Sequence, residues 1–418
     1  MLADGRAGQG SIVRVFFGWK VVAAAFVLAV FGWGIGFYGP SVFLHALHAE
    51  RGWPVAVISA AITWHYVAGA ALVTRLPAAY ARFGVAAVTR TGALACALGL
   101  LGWALASEPW QLFLAAPVTG AGWAATGGVA INAVVAPWFD RRRPAALAFA
   151  YNGASVGGVL FTPLWAALIA GYGFLAAVAV VGVLTVLVLW PLAGRFFRPG
   201  PAALGLHPDG AETPPPPRPA LAPPRGGALF RDVRFVTLSL AFSVALFAQV
   251  GLVTQLFSLL APTLSEAGAG GAFSLLTACS VIGRTVLGSV LRPGAARAAS
   301  ALNLAVQIGG MAALLVALPT GSVPLLLLGC ALFGLGLGNL TSLPPVIAQA
   351  EFPPALVGRV VALVVATNQA FYAAAPGVFG ALREAWGDGA VPAAAAACQA
   401  AAVLVVLAGR RAGRGRRP

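Results

Sequence analysis

Long apolar runs follow one another along almost the whole chain, separated by short polar segments. A helix needs roughly 20 apolar residues to cross ~30 Å of hydrocarbon, whereas the strands of a membrane barrel alternate in polarity over about ten residues. The uninterrupted runs therefore predict membrane-spanning helices. Twelve spans are predicted, at 18–46, 54–80, 86–107, 110–137, 143–170, 174–194, 233–262, 270–292, 297–318, 322–346, 358–382 and 390–409.

One long polar segment interrupts this series in its middle. Residues 195–232 contain four consecutive prolines at 214–217 and almost no apolar periodicity, which is typical of an extended, partly disordered linker. The chain is thus predicted to have an N-terminal six-helix half at 1–194, a proline-rich cytoplasmic linker at 195–232, and a C-terminal six-helix half with a basic tail at 233–418.

The two halves share a short internal repeat. Asn152 follows Arg143 by nine residues at the start of span 5, and Asn368 follows Arg359 by nine residues at the start of span 11. The two pairs are 216 residues apart, close to half the chain of 418. Together with the linker, this predicts an all-α integral membrane fold of twelve transmembrane helices in two pseudo-symmetric six-helix halves.

The composition excludes a soluble protein and gives an orientation. Hydrophobic residues make up 60% of the chain and charged residues only 9%, against roughly 25% charged residues in soluble proteins. The net charge of +15 comes from basic clusters between apolar runs, which argues against nucleic-acid binding. With both termini in the cytoplasm, 23 of the 26 basic residues lie inside and only Arg51 and Arg383 lie in outside loops, as the positive-inside rule requires.

Arg284 is the strongest functional candidate. It is the basic residue placed well inside a predicted span, 14 residues from one end and 8 from the other. A charge at that depth costs several kcal/mol unless it is paired, hydrated or directed into a cavity, and no Asp or Glu lies in the core of a predicted span. The partner is either an anionic substrate or a set of helix-end carbonyls at a gate.

Other polar residues inside the spans mark a candidate substrate cavity. His65 is the best titratable group for proton coupling, although a hydrogen-bonded packing role is the alternative. Asn152 and Asn368 would face each other across the pseudo-two-fold axis, near the midplane where transporters bind substrate. For each amide, interhelical bonding is the structural alternative. The predicted substrate contacts are Arg284, Asn152, Asn368, Gln369, Tyr38, His65, Asn132, Gln249 and Asn339.

Chemistry other than transport finds no support in the sequence. His45 and His48 lie near Glu50, but this group is better explained as a solvated helix end than as a metal site. The phosphate-binding pattern GxxxxGK[ST] does not occur. We predict no enzyme activity, no metal and no cofactor.

Several local motifs resemble those of the major facilitator superfamily, in particular its monocarboxylate-porter and oxalate/formate-antiporter branch. The stretch Trp138-Phe139-Asp140-Arg141-Arg142-Arg143 before the glycines of span 5, Gly18-Trp19, Gly52-Trp53, and Gly283-Arg284-xxx-Gly288 carry this resemblance. It implies alternating access, with Arg82, Gly84, Arg141, Arg142 and Arg143 in the gating motifs.

The sequence also departs from that branch. Pro77 and Ala81 stand where the loop 2–3 motif has Gly and Asp. Ser280 stands where monocarboxylate porters carry an Asp, and Asn368 and Gln369 occupy the region where the oxalate/formate relatives place a lysine. These differences put proton-coupled monocarboxylate transport in doubt.

The sequence therefore predicts a secondary transporter for a small, carboxylate-like organic anion. One alternative is an exporter of a neutral or cationic hydrophobic compound, with Arg284 as a gate residue, and another is a membrane sensor that does not transport. The expected partners are the small-molecule substrate and the lipid bilayer, and the expected oligomeric state is a monomer. Heavy use of Ala, Gly and Arg, with Lys20 as the single lysine, indicates a bacterial inner-membrane protein.

Overall fold

Helices account for almost all of the structure. The computed structural model describes residues 16–213, 229–291 and 294–414. Ten helical stretches within these residues are long and apolar enough to cross a membrane. Two of them, Arg143–Phe196 and Val233–Val290, have 54 and 58 residues, or about 80 Å of helix at 1.5 Å per residue, and so cross twice.

Each double-length stretch contains one residue with a non-helical backbone. Gly173 has φ +79° and Ser265 has φ +63°; the chain reverses direction at these residues, and the ten stretches become twelve spans. The spans of the N-terminal half are Phe17–Gly36 with Gly39–Arg51, Val55–Val73, Val85–Leu105, Leu112–Thr126 with Gly128–Val135, and the two parts of Arg143–Phe196. Those of the C-terminal half are the two parts of Val233–Val290, Ala296–Thr320, Val323–Leu337 with Asn339–Glu351, Pro354–Ala373 with Ala375–Trp386, and Ala390–Arg414.

The predicted fold class is confirmed. The described residues form an all-helical membrane protein of twelve spans, and the helix ends lie within a few residues of most predicted boundaries. Spans 1, 4, 10 and 11 are each divided by a short break. Backbone groups freed at such a break inside a membrane need partners from neighbouring helices, and two of these breaks supply carbonyl oxygens to the site described below.

Twelve crossings return the chain to the side on which it started. We call the face that carries the start of span 1 and the end of span 12 the terminal face, and the opposite one the distal face. At the distal face, the two halves are joined by hydrogen bonds and by one histidine–carboxylate contact. The hydrogen bonds run from Phe257 N to Ser41 Oγ (3.2 Å), Gln255 Nε2 to Ser59 Oγ (2.9 Å), Gly377 N to Thr63 Oγ1 (2.8 Å) and Ala56 N to Glu384 (2.9 Å), and His45 lies 3.6 Å from Glu266.

The Ser41–Phe257 bond relates directly to the internal repeat. These residues are 216 positions apart in the chain, which is the offset between the two Arg–Asn pairs. Equivalent positions of two related halves touch each other only close to the axis that relates them. The bond therefore places the pseudo-two-fold axis between span 1 and span 7.

The segment after span 6 folds back onto the N-terminal half. The Asp209 carboxylate accepts hydrogen bonds from the backbone N–H groups of Asp140 (3.1 Å), Arg141 (2.8 Å) and Arg142 (3.2 Å). Burial raises the pKa of the Asp209 carboxyl, but the backbone donors together lower it by more, so that its pKa lies below the usual value. The proline-rich part of the predicted linker, including 214–217, lies outside the described residues.

Asp209→Asn should release this contact, because an amide oxygen is a weaker acceptor than a carboxylate. Hydrogen exchange at the amides of residues 140–142, measured by mass spectrometry at neutral pH, should become faster, whereas the nearby Glu212→Gln should leave it unchanged. The ionised carboxylate makes the bonds. In the native protein, protection should therefore persist above the ordinary Asp pKa of ~3.9 and weaken only as the pH falls through the lowered value. Loss of protection between pH 7 and pH 5, after correction for intrinsic exchange, would contradict this assignment.

Candidate functional site

Arg284 lies where the two halves of the protein meet. It is six residues before Val290, the end of span 8, or about 9 Å of helix from the terminal face. Its Nη1 lies 3.5 Å from Asn152 Oδ1 in span 5, and its Nη2 donates to the carbonyl of Gly338 (3.3 Å) at the break in span 10. Both distances are at the long end of the hydrogen-bond range, so the guanidinium is only weakly held.

The guanidinium of Arg284 also lacks a full set of partners. Its Nε is buried and makes no hydrogen bond within the described part of the chain, and no carboxylate of the described residues forms an ion pair with it. The hydroxyl of Ser280, one turn earlier on span 8, is likewise buried without a partner. Because buried polar groups are nearly always paired in proteins, these two atoms mark a candidate binding site.

Arg297 shows how this protein pairs an arginine that has a structural role. Its side chain is 3% exposed and forms a bidentate ion pair with Glu351, with Nε–Oε1 at 2.6 Å and Nη2–Oε2 at 2.9 Å. The remaining donors bond Thr237 Oγ1 and two backbone carbonyls. This arginine ties spans 7, 9, 10 and 12 together at the terminal face, and all of its nitrogens have acceptors.

Aromatic side chains lie beside Arg284. The Tyr38 side chain, at the break in span 1, is buried and lies close enough to the guanidinium to interact with it electrostatically. The Tyr66 and Tyr372 rings meet edge to face across the two halves, with centroids 5.8 Å apart, and Tyr372 contacts Gln369 on the next turn. A phenol-rich wall therefore adjoins the guanidinium.

The two repeat-related asparagines have different surroundings. Asn152 is partly buried and contacts Arg284, whereas Asn368 is 5% exposed and accepts a hydrogen bond from Ser243 Oγ (2.9 Å) within its own half. The structure therefore places Asn152 at the site and pairs Asn368 with span 7. The predicted arrangement of both amides facing one ligand is not evident in these contacts.

Three further predicted site residues have other surroundings. Asn132 donates to the Tyr151 hydroxyl (2.6 Å) and to the Gly128 carbonyl. Asn339 donates to Asn303 Oδ1 (2.8 Å) inside the C-terminal half, although its own Oδ1 has no partner among the described residues. Gln249 is buried in span 7 with its Oε1 unpaired in the same sense.

His65 bonds only to groups of the N-terminal half. It is 2% exposed, with Nε2 3.1 Å from the Gly36 carbonyl at the break in span 1 and Nδ1 2.9 Å from Thr119 Oγ1 in span 4. A carbonyl only accepts, so Nε2 donates to it, and Nδ1 of the neutral ring accepts from the Thr119 hydroxyl. These contacts satisfy a neutral histidine and tie spans 1, 2 and 4 together.

The predicted gating residues lie at the ends of the helices. The Arg82 guanidinium is exposed and lies over the Phe83 ring, and Gly84, with φ +81°, begins span 3. The side chains of Arg141 and Arg142 are largely exposed, and their backbone N–H groups bond Asp209. Arg143 donates to the carbonyls of Ala136 and Phe139 (both 3.0 Å) at the end of span 4.

Twelve spans in two halves, which meet around a buried and incompletely paired cation, have the architecture of a secondary transporter. The sequence matches the Major Facilitator Superfamily over residues 22–376, and the chain belongs to that superfamily. It is therefore a transporter and not an enzyme. Comparison with curated protein sequences gives no significant match.

Solved structures share the fold at low sequence identity. A bacterial homolog of the human lysosomal transporter Spinster, in an inward-facing and occupied conformation, has a TM-score of 0.64 at 15% identity, covering 94% of this chain and 95% of that one. The nucleoside transporter NupG has a TM-score of 0.70 at 13% identity, covering 95% of this chain and 100% of that one. At such identities the likeness shows the fold alone.

Sequence reasoning missed two features of the site. It treated Ser280 only as a departure from a related motif, and it did not consider Gly338. The signal for both was weak, because a buried serine in a membrane helix ordinarily bonds its own backbone and a glycine ordinarily serves close packing. Only the contacts with Arg284 set these two residues apart.

The two buried arginines should respond differently to the same substitution. Arg297→Gln breaks a buried ion pair and should destabilise the protein by about 3–5 kcal/mol, whereas Arg284→Gln removes two long hydrogen bonds and should change stability little. The measurement is the thermal unfolding midpoint of each purified variant in detergent. Equal losses in the two variants would mean that Arg284 is also a structural residue.

His65→Asn should lower the unfolding midpoint, because the Gly36 carbonyl loses its buried donor at a cost of about 1–3 kcal/mol. The dependence of uptake into liposomes on an imposed pH gradient should stay the same as in the native protein. Uptake without a gradient provides the control. Selective loss of the gradient dependence would instead identify His65 as a proton carrier.

Proposed function

We propose that this transporter moves a small, carboxylate-like organic anion by alternating access, with Arg284 as the anion contact. The observation that carries the proposal is the contrast between two buried arginines. Arg297 has acceptors for all of its nitrogens, whereas Arg284 has two long bonds, a buried Nε without an acceptor in the described residues, and no carboxylate partner there. An anionic substrate would supply what Arg284 lacks.

The residues around Arg284 support the same proposal. Asn152 and Tyr38 belong to the N-terminal half and Gly338 to the C-terminal half, so a ligand on the guanidinium would contact both halves. Alternating access rocks one half against the other around a fixed site, and a ligand there would be reached from either face. The Tyr38, Tyr66 and Tyr372 rings would form the wall beside the carboxylate.

We further propose that the terminal face is cytoplasmic and that the membrane is a bacterial inner membrane. Exposed Arg82, Arg141 and Arg142 lie at the terminal face, and Arg51 and Arg383 lie at the distal face. The bias of basic residues toward the terminal face follows the positive-inside rule. The superfamily commonly works as a monomer, and we propose the same state for this chain.

A second candidate function is export of a neutral or cationic hydrophobic compound. The observation in its favour is that Arg284 bonds Asn152 in one half and the Gly338 carbonyl in the other. With these bonds it would act as a gate that holds spans 5, 8 and 10 together. A gating arginine would need no anionic substrate.

A thermal-shift screen separates the two functions. The purified protein is heated with formate, lactate, oxalate, succinate or benzoate and, as neutral controls, with formamide, lactamide and benzamide. At least one carboxylate should raise the unfolding midpoint of the native protein, and the amides should not, because only an ion gains the full interaction with the guanidinium.

Arg284→Gln should abolish this stabilisation, whereas a conservative change outside the site, Thr285→Val, should preserve it. The stabilising carboxylate should then be taken up by proteoliposomes that contain the native protein. A panel without any stabilising anion, or stabilisation that persists in Arg284→Gln, would rule out the anion contact and favour the export function.

A further inference from the structure

Ser280 differs from every other hydroxyl-bearing residue of span 8. The Thr277 and Thr285 hydroxyls donate to the carbonyl four residues earlier (both 2.8 Å). Ser274 donates to the Val159 carbonyl (2.9 Å) and Ser289 to the Val286 carbonyl (2.8 Å). The Ser280 side chain is completely buried and has no partner within the part of the chain that the structure describes. Its hydroxyl is therefore available to something other than its own helix.

The Ser280 hydroxyl and the Arg284 guanidinium converge on Gly338. A methyl group built on Gly338 would lie 2.7 Å from Ser280 Oγ, 2.9 Å from Arg284 Nε and 2.8 Å from Arg284 Nη2. The two unpaired atoms are thus within about 6 Å of each other, since both lie within 3 Å of that one point. A side chain larger than glycine at position 338 would push the guanidinium away from the serine.

The close approach of spans 8 and 10 fixes this arrangement. A methyl group on Gly283 would collide with the Leu335 carbonyl, and one on Gly334 would collide with the Leu276 carbonyl. Small residues at these positions bring the two helices together above and below the site. Ser280 and Arg284, one turn apart, consequently point at the same short stretch of span 10.

We propose that Ser280 and Arg284 together recognise the two oxygens of the substrate carboxylate, an inference that rests on the anion transport proposed above. The serine hydroxyl donates to one oxygen and the Arg284 Nε to the other. Because the hydroxyl is neutral, it adds a donor without cancelling the guanidinium charge. An aspartate at this position would instead pair with Arg284 and occupy the site in place of a substrate.

Gly338 has a defined part in this recognition. It supplies the carbonyl that holds Arg284 Nη2 (3.3 Å), and its lack of a side chain leaves the approach to Nε and to the Ser280 hydroxyl free. The residue therefore determines whether two donors or none face the ligand.

The test uses the carboxylate that stabilises the native protein most strongly in the thermal-shift screen, titrated to give an apparent Kd. Ser280→Ala should weaken its binding about tenfold, as expected for one lost hydrogen bond to a charged group. Ser280→Ala should leave the unfolding midpoint without ligand unchanged or higher, because it removes an unpaired buried hydroxyl. The matched control Thr285→Val, which removes a hydroxyl that bonds its own helix five residues away, should keep the native Kd.

A second variant tests the charge argument. Ser280→Asp should lose carboxylate binding at pH 8, where the new side chain is ionised and pairs with Arg284, and should regain part of it when the pH is lowered and the aspartate is protonated. The native protein should not gain binding over the same interval.

The two proposals fail in different ways. If no carboxylate binds the native protein, the proposed transport of an anion is wrong. If carboxylate binds the native protein and Arg284→Gln abolishes it, but Ser280→Ala keeps the native Kd, then Arg284 acts alone and the two-donor recognition is wrong. Equal weakening by Thr285→Val and Ser280→Ala would also overturn it.

Discussion

Lipid provides no hydrogen-bond partners, and this constraint accounts for most of the structure. Backbone groups are satisfied inside helices, and hydroxyls such as Thr185 and Thr254 donate back to their own helix. Side chains that are further from their own backbone bond across helices, as Gln399 does to Gln307. Against this background, an incompletely paired cation is conspicuous, and Arg284 owes its functional interest to the same rule that makes its neighbours helical.

The sequence predicts those features that depend on the bilayer. The number of spans follows from apolar length, and the two predicted reversals near positions 173 and 265 occur where Gly173 and Ser265 leave helical geometry. The pairing of side chains follows from tertiary packing, which periodicity does not encode. Arg297 and Glu351 lie 54 residues apart in the chain and near helix ends, so nothing in either local sequence announces their ion pair.

The candidate site was only partly predictable for the same reason. Depth in a span identified Arg284, because position along a helix is readable from the sequence. Whether a buried amide belongs to a site depends on its neighbours, and these separate Asn152 from Asn368 although the repeat makes them equivalent. The breaks in spans 1 and 10 matter in a similar way, since each exposes a carbonyl that one polar side chain reaches, His65 in the first and Arg284 in the second.

The bond between Ser41 and Phe257 has a consequence for the shape of the ligand. Where equivalent positions touch, the two halves meet as the subunits of a two-fold homodimer do, and a homodimer would present two identical charges to whatever lies on its axis. This protein presents one: span 2, the counterpart of span 8, carries His65, whose ring bonds only to its own half. A symmetrical frame with a single off-axis charge suits a polarised molecule, charged at one end and apolar at the other, which enters in one orientation and leaves without turning around.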